Sequence, residues 1–263
     1  MTPPLVVAAL GSRIELDLDG VPGALGRRIE RNWAMCRTGP DPGADDVVPV
    51  RERIAAVDRI TPPVRGRRRA VTMYLTRAVT ARAVSSSAAR VLVLHAGALA
   101  DPVTGATIGY AAIAGGGKTT LTRTLGPGRA YISDEALAIA EDGRIHAYPK
   151  PLSPRRPDWD WVRTEVPPQE CGLLPPPPQP WLAGLLLLQR IADGPPVLAV
   201  TTMERLDGVA ALAGHAVGLP RLDRPLQRIA NALDRVGGLT VVTYRDGADL
   251  APVVDEVLGR AAG

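Results

Sequence analysis

Phenylalanine is absent from this sequence, and aromatic residues of all kinds amount to 3% of its 263 positions. A chain of this length buries most of its unfolded surface. Ala, Val, Leu and Ile must therefore fill an interior that large rings usually anchor. Cysteine is nearly as scarce. Cys36 and Cys171 stand far apart and without metal-ligand spacing, which argues against a zinc module or a disulfide scaffold and fits reduced thiols in a cytoplasmic protein. Also missing is any apolar run near the ~18–20 residues that a membrane helix requires. The opening Met1-Thr2-Pro3-Pro4 has no basic n-region, so a secretory signal is not expected. A soluble cytoplasmic protein with no membrane partner is the expectation.

Charge of one sign is not in large excess either: the net charge is +4 and the pI about 9.4. The densest basic run, Arg65-Gly66-Arg67-Arg68-Arg69, is read as a solvated loop. No aromatic residue interleaves with it, which speaks against nucleic acid as a partner. The 26 prolines and 27 glycines gather between apolar segments and act as punctuation.

What is present is an α/β pattern. Ile14, Leu16 and Leu18 alternate with charged residues as in a half-buried strand, and a short basic helix is expected over Gly23 to Ala34. A second helix, carrying Val71, Tyr74, Leu75 and Ala78, leads up to Ser85-Ser86-Ser87. Beyond it, short apolar strands are expected at Val91–Leu94 and Ile108–Ile113, a helix over Thr119 to Leu125, and a strand over Ala130 to Ser133. Leu185–Leu188 and Val197–Val200 read as buried strands. Leu226, Ile229 and Leu233 mark a helix, Thr240 to Tyr244 a strand, and Val253 to Leu258 a final helix. The organisation expected is a small N-terminal α/β unit over 1–85 and a larger α/β domain over 86–263. Between 149 and 180 runs a Pro-rich insertion without apolar periodicity, which suggests a functional lid or a mobile loop.

One stretch carries chemistry. Ala112-Ile113-Ala114-Gly115-Gly116-Gly117-Lys118-Thr119 follows a buried strand and opens a helix, as a phosphate-binding loop does. Glycines let the backbone turn its N–H groups inward, and the helix start adds unpaired donors and the positive end of its dipole. Ala114 to Gly117, Lys118, Thr119 and Thr120 are thus the expected nucleotide-binding residues. Lys118 would reach the outer phosphates, and the Thr119 hydroxyl would ligate Mg²⁺. Ala112 replaces the first glycine of the usual pattern. The bland alternative is a glycine-rich turn with a chance lysine. Sixteen positions further on, Asp134-Glu135 ends an apolar strand, either as a metal-ligand and base pair or as solvated carboxylates.

His95-Ala96-Gly97, the glycine loop with Lys118-Thr119-Thr120-Leu121, and Ile132-Ser133-Asp134-Glu135 together resemble the HPr kinase/phosphorylase family. They resemble in particular the short HPr-kinase-like enzymes found with peptide-modification genes. Tyr148-Pro149-Lys150-Pro151-Leu152-Ser153 is similar to a segment that those relatives carry after the acidic pair. The resemblance covers about Val91 to Ser153. It implies a P-loop kinase domain of the HPr kinase/phosphoenolpyruvate carboxykinase type with a mixed sheet around the loop. It also implies Asp134 as general base, Glu135 as metal or phosphate neighbour, His95 near the transferred phosphate, and ATP with Mg²⁺ as cofactors. Arg155 and Arg156 follow the family-like segment and would offset phosphate charge, or else lie solvated in a loop. The longer glycine-arginine signature of the bifunctional enzymes is not found in the second half.

The expected activity is transfer of the ATP γ-phosphate to a hydroxyl, foremost Ser of a peptide or protein, with a small-molecule acceptor as one alternative. A non-catalytic nucleotide-binding accessory protein is the other, for which Ala112 and Glu135 are the support. Homo-oligomerisation is left open. His146 and His215 read as structural, and Trp159, Trp161 and Trp181 as packing for the Pro-rich insertion.

Overall fold

The computed structural model describes residues 5–38, 44–60, 67–112, 117–154, 164–191 and 198–260. Strands β1 (Leu5–Ala9) and β2 (Ser12–Asp17) form a hairpin in register from Leu5↔Leu16 to Ala9↔Ser12. Its pattern of alternate burial puts Ile14 and Leu16 inside, as the charge alternation anticipates. Helix α1 (Gly23–Asn32) buries Leu25 and Ile29. Strand β3 (Asp46–Pro49) then adds parallel to β2. Helices α2 (Val50–Ile60) and α3 (Arg67–Ser87) pack on each other and on this sheet. The basic run is thus not all loop, since Arg67 to Arg69 form the first turn of α3.

Next come β4 (Leu92–Leu94), β5 (Ala96–Ala100), β6 (Ala106–Ala111), α4 (Lys118–Leu125), β7 (Ala130–Ser133), β8 (Leu137–Ile139), β9 (Ile145–His146) and β10 (Trp181–Arg190). The chain ends with β11 (Leu198–Met203), α5 (Arg205–Ala213), β12 (Ala216–Val217), α6 (Pro225–Arg235), β13 (Leu239–Tyr244) and α7 (Ala251–Arg260). A mixed six-stranded sheet has the order β11-β13-β10-β6-β5-β7, and an antiparallel sheet the order β12-β4-β8-β9. The fold is mixed α/β.

Strand β6 sits in the middle of the large sheet and is buried throughout, parallel to β10 and antiparallel to β5. Its Tyr110 ring crosses over β5 at Gly97, where an added Cβ would lie 2.3 Å from the ring. Small residues there let a bulky one be accommodated in a core built mostly of aliphatics. The Tyr110 hydroxyl meets Thr122 Oγ1 at 2.6 Å, and Thr122 donates to the Lys118 carbonyl. Strand and following helix are thereby locked in one orientation.

Two further expectations are corrected. Strand β11 is not buried: it is the sheet's outer strand, and Val200 is 50% exposed. An apolar run states what a strand is made of, not whether a neighbour covers it. Leu226 is likewise exposed, while Ile229 and Leu233 of the same helix are buried. The flanks of the Pro-rich stretch, read from the sequence as a lid or mobile loop without apolar periodicity, are packed against the rest of the chain. Leu152 and Val166 exchange both backbone hydrogen bonds at 2.9 Å, and Leu174 pairs with the start of β7. Leu173 and Glu165 are buried. Prolines hid these contacts because they interrupt the periodicity by which a packed segment is recognised. Arg155, Arg156, Trp159 and Trp161 lie outside the described residues.

Candidate functional site

The glycine loop leaves β6 at Ala112 and enters α4 at Gly117. Ala114, Gly115 and Gly116 lie outside the described residues. Gly117 is the N-cap of α4 with φ at 85°, a left-handed conformation that a side chain would strain. Lys118 then turns back, and its Nζ donates to the Ala112 carbonyl at 3.0 Å. Both ends of the loop are thus pinned to each other by the lysine. Burial lowers the Lys118 pKa below the usual lysine value, against the opposing pull of Asp134 and Glu135.

Thr119, one step along the helix, points its hydroxyl at Asp134 and donates to Oδ2 at 2.8 Å. Asp134 stands at the end of β7, which runs antiparallel to β5 at the sheet's edge. Its other oxygen, Oδ1, accepts from the Tyr131 hydroxyl at 3.0 Å and from Lys150 Nζ at 2.8 Å. A carboxylate offers about four lone-pair positions. Oδ1 is filled by these two donors, whereas Oδ2 accepts from Thr119 alone among the described residues. Burial pushes the Asp134 pKa up, but the Lys150 charge and the hydrogen bonds from Lys150, Thr119 and Tyr131 outweigh it. The carboxyl is held below the usual range, so it is ionised at neutral pH.

Lys150 is the residue that sequence reasoning missed as a member of the site. It is 2% exposed, and each of its three N–H donors has an acceptor. These are Asp134 Oδ1, Glu135 Oε2 at 3.1 Å and the Pro151 carbonyl at 3.2 Å. Their fields raise its pKa despite burial, which pulls the other way. The signal was a lysine between two prolines, Pro149-Lys150-Pro151. Prolines lack N–H groups and fix φ, so they present the lysine from a stiff, extended backbone. Glu135 keeps a half-exposed side chain beyond this ion pair.

His95 Nδ1 lies 3.0 Å from the Glu135 carbonyl oxygen. A carbonyl only accepts, so Nδ1 carries the proton and Nε2 of the neutral ring is the acceptor nitrogen. Burial and then the Lys118 charge lower the His95 pKa, which keeps the ring neutral. His215 supports His95 through its backbone, accepting from the His95 N–H at 2.6 Å. Below Lys150 lies one further acid. Glu165 Oε1 accepts from Ser153 at 2.6 Å, and the Thr76 hydroxyl also lies beside this buried carboxyl. Burial outweighs the pull of Lys150 and raises its pKa to about 7.

Lys118, Thr119, Asp134, Glu135 and His95 thus meet in one place, with Lys150 added. Thr120 is exposed on α4 and joins no contact of the cluster, and Arg155 lies outside the described residues. No group of three His, Cys, Asp or Glu suited to a metal is found among the described residues. Magnesium asks for less: hard oxygen donors, one or two of them carboxylates, with waters and phosphates completing the shell. The hydroxyl of Thr119 and the carboxylate of Glu135 fit that demand. Among the described residues no helix is long and apolar enough to cross a membrane. Comparison with models of known protein families gives no match, and comparison with curated proteins gives none either.

Proposed function

We propose that this chain is an ATP-dependent kinase that transfers the γ-phosphate to a hydroxyl, foremost Ser of a peptide or protein, in the cytoplasm. The observation that carries the reading is the 2.8 Å hydrogen bond from Thr119, directly after the loop lysine, to the buried Asp134. In a phosphate-loop kinase the hydroxyl that serves the metal and the carboxylate that receives the acceptor's proton both work at the γ-phosphate, so the two are expected side by side. The mixed sheet with its central strand feeding the glycine loop supports a P-loop kinase domain of the HPr kinase type.

When bound, Mg-ATP supplies the phosphoryl group and the divalent charge that balances it. The rest falls to the chain. Lys118 and the first N–H groups of α4 offset phosphate charge. Thr119 and Glu135 hold oxygen ligands for the metal. Asp134 accepts the acceptor's hydroxyl proton on Oδ2, beside Thr119. Its low pKa makes it a weak base, which suits a loose transition state where the proton moves late and alignment is the larger effect. Lys150 is a positioning residue: it fixes Asp134 through Oδ1 and leaves Oδ2 to the chemistry.

The test separates binding from transfer. Mg-ATP should raise the melting temperature of the wild type, and Lys118→Ala should lose most of that shift. Asp134→Asn should keep it and transfer phosphate about 10²–10⁴-fold more slowly. If Asp134→Asn transfers as fast as the wild type, the base is another group, and the lone pair of His95 Nε2 is the next candidate. A wild type that binds Mg-ATP yet phosphorylates no acceptor would be an accessory protein and not a kinase.

A further inference from the structure

Next to Glu135 the surface opens into a groove of about 570 Å³ that none of the roles above uses. One wall is α3 and the turn after it, through Arg77, Thr80, Ala81, Val84, Ser85 and Ala88. These positions recur every three or four residues and so form one stripe along the helix. From 77 to 88 the stripe runs roughly 16 Å at the helical rise. The other wall is Val217, Gly218 and Arg221, from β12 and the turn that follows. Gly218 has φ at +73°, and an added Cβ would lie 2.7 Å from that of Ala88, so turn and helix meet closely at this end.

Length and lining speak for an extended peptide. Roughly 16 Å matches about five residues of extended chain at ~3.3 Å each. The lining between the charges is small and mostly apolar, with room for an extended backbone along it. Charge decides the kind of peptide. Arg77 and Arg221 face the groove from opposite walls, and the one carboxylate on it, Glu135, is already paired with Lys150 at 3.1 Å. Arg221 is braced by Nη1, which donates to Ser85 Oγ at 3.0 Å and to the Ser85 carbonyl at 3.4 Å. Arg77 lies over the Tyr74 ring with its guanidinium carbon 5.7 Å from the centroid. A guanidinium suits a carboxylate through paired N–H donors. Glu135 links the groove to the chemistry, because the same Lys150 Nζ holds Asp134 at 2.8 Å.

We infer that this groove binds the acceptor as an extended acidic peptide, with its hydroxyl residue beside Glu135 and its carboxylates on Arg77 and Arg221. The inference rests on the kinase reading for the fate of that hydroxyl, while binding itself requires no nucleotide. The probes are fluorescein-labelled peptides with one Ser flanked by aspartates, by asparagines or by lysines. Anisotropy at low salt should show the aspartate peptide binding at least about tenfold more tightly than the asparagine peptide, with the difference shrinking as salt screens the charges. The doubly reversed variant, Arg77→Glu with Arg221→Glu, should lose the aspartate peptide and gain the lysine peptide while keeping its melting temperature. If that variant melts early, Arg77→Gln and Arg221→Gln singly should each weaken the aspartate peptide. Equal binding of the aspartate and asparagine peptides, no binding of either, or indifference to the arginines overturns the groove. Peptide phosphorylation with a KM that ignores both arginines would leave the kinase and remove the groove. Arginine-dependent binding without any phosphoryl transfer would leave the groove and remove the kinase.

Discussion

Glu165 shows how one buried side chain sets a pH dependence. Its carboxyl lies below Lys150, accepts one hydrogen bond from Ser153, and has its pKa raised to about 7 by burial. Between the ordinary glutamate value and about 7 the folded protein therefore binds a proton that the unfolded chain has lost. Stability falls as pH rises through that window and levels off above it. Asp134 works with the opposite sign. Its pKa is lowered, so its contribution is present at neutral pH and fades as pH drops through the acidic range. Glu165→Gln keeps the shape and the acceptor for Ser153 but cannot ionise. It should melt higher than the wild type at about pH 8, and the advantage should vanish near pH 4. Thermal melts at both pH values check this, and equal melting temperatures at about pH 8 would show that the acid is not held protonated. At this scale the sequence was legible for Lys118, Thr119 and Asp134, whose neighbours along the chain declare them. It was silent on Glu165 and Lys150, whose partners lie in other elements.

Among the elements, strand β6, helix α4 and strand β7 form as the sequence anticipates, because each is a short segment set beside a glycine turn. The segment Tyr148–Ser153 is different. It has no helix or strand period, yet it inserts a lysine into the acidic pair at the end of β7. Lys150→Met preserves length and most of the volume but leaves Asp134 without its buried cation. Removing one partner of such a pair costs about 3–5 kcal/mol. The variant should unfold at lower denaturant. Adding Asp134→Asn to it should restore much of the loss, since no uncompensated charge is then buried. Denaturant unfolding of both singles and the double measures the coupling. Additive losses would mean that the pair is not what holds the segment. Strand β11 teaches the reverse lesson. Its apolar residues look like those of a core strand, and only its place at the edge of the sheet leaves them exposed.

On the scale of the whole molecule, the N-terminal sheet does not stand alone. Its hydrophobic cluster runs from β1 and β2 through Trp33 and α3 to Val93, Ala138 and Tyr148. Trp33 and Tyr148 have ring centroids 6.3 Å apart, and the Tyr148 hydroxyl meets Thr80 of α3 at 2.9 Å. Tyr148 is two residues from Lys150, so the N-terminal unit braces the segment that holds Asp134. Trp33→Ala should cost about 3–5 kcal/mol by cavity formation. At a temperature where the variant is still folded, it should also slow phosphoryl transfer more than it weakens Mg-ATP binding. Comparing the nucleotide-induced melting shift with the transfer rate tests the link. Equal loss of both would mean a general loosening.

By itself the sequence determined the α/β class, the glycine loop between strand and helix, and the acidic pair after the next strand. Each is local: period, glycine freedom and helix start act within a few residues. Tertiary structure decided the rest. It chose which lysine neutralises Asp134, which oxygen of that carboxylate faces Thr119, and which edge of the sheet is bare. It also set two arginines, from helix α3 and from the turn after β12, on facing walls of one groove. Such pairings join positions from 16 residues apart, as for Lys150 and Asp134, to more than 100, as for Arg77 and Arg221. Burial strengthens the fields between them, and only the folded chain brings them within reach.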